Sequence, residues 1–164
     1  MRGLWAWVLV AAIVLPAGIV FAEDVVIGPG KKVSFDYTLT VDGQKVETTE
    51  GKEPLSYNHG RGELVVGLEK ALAGLKVGDV KTVVVKPEEG YGLVRQDAFR
   101  EFDRAKLPKD VIPKVGMILE MQDQSGTSYP AAISEVTDKT IKLNFNHPLA
   151  GKELKFDVKI VAIQ

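Results

Sequence analysis

The chain has 164 residues, 21 Lys and Arg against 22 Asp and Glu, a net charge of −1 and no cysteine. Without clustered positive charge there is no footprint for nucleic acid. Without cysteine there are no disulfides, thiol nucleophiles or thiolate metal sites, so stability has to come from core burial.

The N-terminus reads as an export signal. Arg2 gives a short positive start, residues 4–21 are apolar and broken only by Pro16 and Gly18, and Val20 and Ala22 occupy the specificity positions of a signal-peptidase site. Cleavage after Ala22 would release the chain from Glu23 onward to the periplasm or the medium. The competing expectation is a retained membrane anchor, since the run is nearly long enough to span a bilayer.

From Lys32 to Val41 the chain alternates. Val33, Phe35, Tyr37, Leu39 and Val41 fall on one face, with polar residues and threonines on the other, which is the period of a half-buried strand. Asp42-Gly43 predicts a hairpin turn, and residues 44–48 the returning strand. A short extended piece at 54–57 leads into the glycine loop Gly60-Arg61-Gly62. Leu64, Leu68 and Leu72 then sit four apart on one predicted helical face, which Gly74 ends. Residues 80–86 form a β-branched strand stopped by Pro87. Glu88 to Gly92 is a loop in which Tyr91 stands between glycines and outside any period.

Residues 96–114 are charged, interrupted by proline and without clear period. Three strand-like runs follow, at 117–122, 131–136 and 140–145, and predict a small β-meander with its own apolar set. The last strand places Leu154, Phe156, Val158 and Ile160 on one face. The expected fold is α+β: an antiparallel sheet on one short helix, formed by residues 23–94 and 147–164, interrupted by a β-rich unit over 95–146.

Three separated motifs carry a family resemblance. Tyr57-x-x-Gly60-x-Gly62-x-Leu64-Val65-x-Gly67-Leu68-Glu69, running on to Gly78-Asp79, resembles the core of the FKBP-type prolyl isomerases. Glu88-x-Gly90-Tyr91-Gly92 is similar to that family's Tyr-Gly loop, and Asn146-His147-Pro148-Leu149-Ala150-Gly151-Lys152-x-Leu154-x-Phe156 to its strand motif N-H-x-L-A-G-x-x-L-x-F. The stretch between Tyr91 and Asn146 resembles the insert-in-flap domain of the SlyD-type branch.

The resemblance implies catalysed rotation about X-Pro bonds in proline-containing unfolded or partly folded polypeptides, with no cofactor; with no coiled-coil repeat and a modest net charge, a monomer is the default expectation. Tyr37, Glu47 and Tyr91 would be the catalytic set. Val46, Leu55, Leu64, Val65, Leu68 and Phe156 would bind substrate, with the Val65 N–H and the Tyr91 hydroxyl reaching its carbonyls. Two positions depart from the family: Leu68 stands where eukaryotic members have Trp, and Glu47 where Asp is usual. Read without the resemblance, Tyr37, Leu64, Leu68 and Phe156 are explained by core packing, and Glu47 by a solvated strand edge.

In the insert, Met117, Leu119, Met121, Tyr129 and Ile133 are the candidate surface for loose capture of unfolded chains, methionine adapting to varied partners; a miniature core is the alternative use for them. His59 and His147 have no metal-type partner nearby in sequence and fall in turns, and the metal-binding tail of many SlyD-type proteins has no counterpart here. No metal is expected. Two further readings stay open: a holdase that has lost most catalysis, and an anchored binding module.

Overall fold

The computed structural model describes residues 25–108, 111–122 and 125–164. The predicted signal or anchor segment and its cleavage position lie outside them. Two antiparallel sheets and one short helix, α1 (Val66–Leu72), make up the architecture.

The first sheet is built around β1 (Lys32–Val41). One edge of β1 pairs first with β3 (Leu55–Asn58) and then with β2 (Gln44–Thr48); the other edge pairs with β9 (Leu154–Ile163), which carries β4 (Val80–Val85) on its far side. The alternation in β1 and β9 does what its period dictates. Val33, Phe35, Leu39, Leu154, Phe156, Val158 and Ile160 are buried, and α1 adds Leu68 and Leu72 from across the sheet. Asp42 and Gly43 both have positive φ, 50° and 78°, as a two-residue type I′ hairpin requires.

The helix is shorter than the leucine spacing predicts. It begins at Val66, because the Val65 backbone is extended and its carbonyl already accepts the Leu68 and Glu69 N–H groups. Leu64 therefore precedes the helix, although it still packs on the core.

The second sheet has four strands in the order β5 (Phe99–Asp103), β8 (Thr140–Asn144), β7 (Ser128–Val136), β6 (Ile118–Gln122). The meander read from the sequence has three; β5 is the addition. It lies in the charged stretch that shows no period, and it turns only Phe102 toward the small core of Ala131, Ile133, Ile141 and Leu143. The second sheet is joined to the first at a neck. There the Arg95 N–H donates to Asn146 Oδ1 at 2.8 Å, and Asn146 Nδ2 donates back to the Arg95 carbonyl at 3.1 Å.

Gly67 lies where α1 crosses β4. A Cβ there would sit 2.7 Å from Val85 Cγ1 and 3.1 Å from Glu89 Cβ, and Val85 is a buried, stiff side chain. Gly67→Ala gains about 1 kcal/mol of helix propensity but overpacks by about 1–3 kcal/mol. The expected outcome is a net loss near 1 kcal/mol in denaturant unfolding. An unchanged or higher midpoint would mean that helix and strand can move apart at no cost.

Candidate functional site

Between α1 and the concave side of the first sheet opens a cleft of about 380 Å³. It is lined by Phe35, Tyr37, Leu39, Glu47, Leu55, Glu63, Leu64, Val65, Leu68, Tyr91 and Phe156. Its base is the open end of the core. The Phe35 ring packs edge-on against Tyr57 at 5.6 Å and is tilted against Tyr37 at 5.8 Å; Tyr37 in turn meets Phe156 at 6.1 Å. These offset and edge geometries suit aromatic quadrupoles.

Strand pairing places the carboxylate. Thr38 lies opposite Thr48 and Leu39 opposite Glu47, and paired residues share a face. The threonines face outward with their hydroxyls 2.9 Å apart, while Leu39 and Glu47 face the cleft. The register then slips, Thr40 pairing with Lys45, so Val46 has no opposite partner. This bulge corrects one expectation: Val46 is more than half exposed and does not line the cleft. The other expected residues, Tyr37, Glu47, Leu55, Leu64, Val65, Leu68, Tyr91 and Phe156, are all brought together there.

Three lining residues escaped the sequence reading. Phe35 and Leu39 were legible in principle, since they share the face of Tyr37 in the alternation. Glu63 was not. Its two carboxylate oxygens accept from the Asn58 N–H at 2.9 Å and from Asn58 Nδ2 at 3.0 Å, and these bonds hold its pKa below the usual carboxylate value. Leu68 forms the buried floor. The Val65 N–H has no acceptor among the described residues.

One phenol of the cleft, that of Tyr37, is held as a neutral donor. Burial, then hydrogen bonding to Glu47 and its charge, push the Tyr37 phenol up to about 12, with a smaller contribution from Tyr91. Glu47, despite its extra methylene relative to Asp, thus acts on Tyr37. Tyr91 is held by a contact that no spacing announces: its ring stacks on His147 with centroids 3.8 Å apart and planes within 6°.

A family profile for FKBP-type peptidyl-prolyl cis-trans isomerases matches residues 24–161. The chain belongs to the FKBP-type peptidyl-prolyl cis-trans isomerases. The sequence of this isomerase is 39% identical over 150 positions to the short-type peptidyl-prolyl cis-trans isomerase of Methanocaldococcus jannaschii, covering 82% of this chain and 92% of that one. It is 40% identical over 136 positions to the SlyD isomerase of Haemophilus influenzae, covering 79% and 68%. With the FKBP-type 16 kDa isomerase of Escherichia coli K12 it shares 33% over 129 positions, covering 77% and 87%.

In the insert, one candidate requires correction. Ile133 is buried, since β7 turns Ala131 and Ile133 together into the small core, so it offers no surface. Met117, Leu119 and Met121 are partly buried against that core, while Tyr129 is about half exposed.

Because the folded pKa of Tyr37 lies above the unfolded value of 10, the neutral phenol stabilises the fold below pH 10. That contribution is lost as pH rises toward 12. In a tyrosinate absorbance titration Tyr37 should ionise late, together with Tyr57, whose phenol burial also pushes up to about 12. Tyr37→Phe removes one late group. Glu47→Gln should lower the Tyr37 midpoint only in part, leaving the effect of burial; no change at all would mean that the carboxylate does not reach the phenol.

Proposed function

We propose that this isomerase accelerates folding of proline-containing polypeptides outside the cytoplasm. In this reading the first sheet performs catalysis and the second loosely holds unfolded clients. The carrying observation is the cleft: aromatic and aliphatic walls, the neutral Tyr37 phenol, and a Val65 N–H with no acceptor among the described residues, sized for a prolyl residue and its neighbours.

Rotation about X-Pro breaks no σ bond, so no nucleophile or metal is required. The barrier of roughly 18–20 kcal/mol is amide resonance, which places negative charge on oxygen and positive character on nitrogen. The uncatalysed exchange takes tens to hundreds of seconds. Moving the amide from water to apolar walls destabilises the polar planar form relative to the less polar twisted one, which is differential binding of the transition state. Leu55, Leu64, Leu68 and Phe156 supply the walls, with Tyr37 and its partner Glu47 behind them. The Val65 N–H and the Tyr91 hydroxyl bind substrate carbonyls and fix which bond turns.

Client holding is supported by the open end of the core face of the second sheet. Met121 and Tyr129 lie opposite each other across β6 and β7. With Phe102, Phe145, Arg100 and Gln122 they line a mainly apolar hollow of about 340 Å³. Ile112, Val115 and Ile118 are exposed nearby in sequence. The export signal supports the location, and cleavage after Ala22 would leave Glu23 as the first residue in a mass spectrum of the exported protein.

The direct test is refolding of a protein limited by prolyl isomerisation, with wild type and Tyr91→Ala. Wild type should accelerate it, and loss of one carbonyl donor should lower kcat/KM roughly tenfold. No acceleration by wild type, with aggregation still suppressed, would leave a holdase. For the second sheet, Met121→Ser with Tyr129→Ser should weaken suppression of aggregation several-fold and leave turnover of a short X-Pro peptide unchanged; undiminished suppression would remove the holding role from this surface.

A further inference from the structure

Tyr91 is the cleft aromatic that belongs to no strand or helix, so its orientation has to come from elsewhere. Its ring lines two spaces. One is the catalytic cleft; the other is a hollow of about 480 Å³ beside the neck, which it shares with His147, Arg95, Phe145 and Asn146. The side chain thus stands at the border between the cleft and the neck. The imidazole of His147 lies flat against the ring, 3.8 Å away and 6° from parallel.

His147 is itself held. The Leu149 N–H donates to its Nδ1 at 3.1 Å, which makes Nδ1 the acceptor nitrogen. The segment that carries it is tied to the Tyr91 loop by the Gly151 N–H on the Gly92 carbonyl at 2.7 Å. Its neighbour Asn146 brackets Arg95 and donates to Asn144 Oδ1 at 2.7 Å, at the end of β8.

We propose that His147 is a positioning residue for the isomerase reaction: its stacked imidazole keeps the Tyr91 phenol in the cleft. The inference rests on the reading of Tyr91 as a substrate-binding group. A residue needed only for the turn would have to supply the Nδ1 acceptor and nothing more. The full-face contact with Tyr91 is a second use of the same ring, and the two uses can be separated by substitution.

The experiment is kcat/KM on a short X-Pro peptide for the whole chain carrying His147→Phe, His147→Asn, Tyr91→Ala, and Tyr91→Ala combined with His147→Asn. Phe keeps a ring for stacking and loses the acceptor; Asn keeps an acceptor for the Leu149 N–H and loses the ring. We expect His147→Asn to lower kcat/KM about 3- to 10-fold, the range of an aromatic pair contact, chiefly through kcat. His147→Phe should stay within about twofold of wild type, and the Asn substitution should cost little more once Tyr91 is already Ala. The reverse order, Asn near wild type and Phe impaired, would overturn the proposal in favour of a turn-forming role. So would an undiminished loss in the Tyr91→Ala background. If Tyr91→Ala alone has no effect, the reading of Tyr91 falls and the positioning role with it.

Discussion

The site depends on β1 being hydrogen-bonded along both edges while keeping one face apolar. Pairing to β9 on one side and to β3 and β2 on the other leaves the strand no freedom to slip, because a shift of one residue would turn Phe35, Tyr37 and Leu39 out to water. The cleft is therefore the continuation of the core past the point where α1 stops covering the sheet. Phe35 is fully buried, Tyr37 partly so, and Phe156 closes the same face from β9. Rigidity at the site comes from packing that the fold requires in any case.

Such a site selects its chemistry by what it withholds. Aromatic and aliphatic side chains make up most of the lining, and burial with the facing carboxylate holds the Tyr37 phenol neutral. A neutral phenol donates a hydrogen bond without placing a charge beside the amide. A cation there would stabilise the planar, charge-separated resonance form as well as the twisted one and would forfeit the difference that drives rotation. Glu47 acts on the electrostatics of Tyr37, and in the proposed reaction no proton transfer is asked of it.

The parts legible in the sequence are those where one period governs one face. β1 and β9 could be read residue by residue, as could the Asp42-Gly43 hairpin, since both turn residues must accept positive φ. Features set by pairing partners were not legible. The bulge that strands Val46 exists only because β2 slips against β1. β5 went unread because its charged residues are those of a solvated edge strand, with little more than Phe102 turned inward. The hydrophobicity of Ile133 alone suits a capture surface as well as a core, whereas its place in the β7 alternation makes it core. The stack of Tyr91 on His147 joins residues separated by the whole second sheet, and no local pattern encodes it.

That separation explains where the second sheet is attached. Its chain leaves the first sheet just after Tyr91 and returns at Asn146, so the neck and the rim of the cleft are made from the same few residues. An unfolded client held on the second sheet would be tethered close to the cleft, and tethering raises the local concentration of its prolines without any new contact at the catalytic residues. Loose holding suits this arrangement better than tight holding, since each proline has to be released for the next to enter. In that reading the hydrogen bonds between Arg95 and Asn146 fix the attachment of the second sheet at the rim of the cleft.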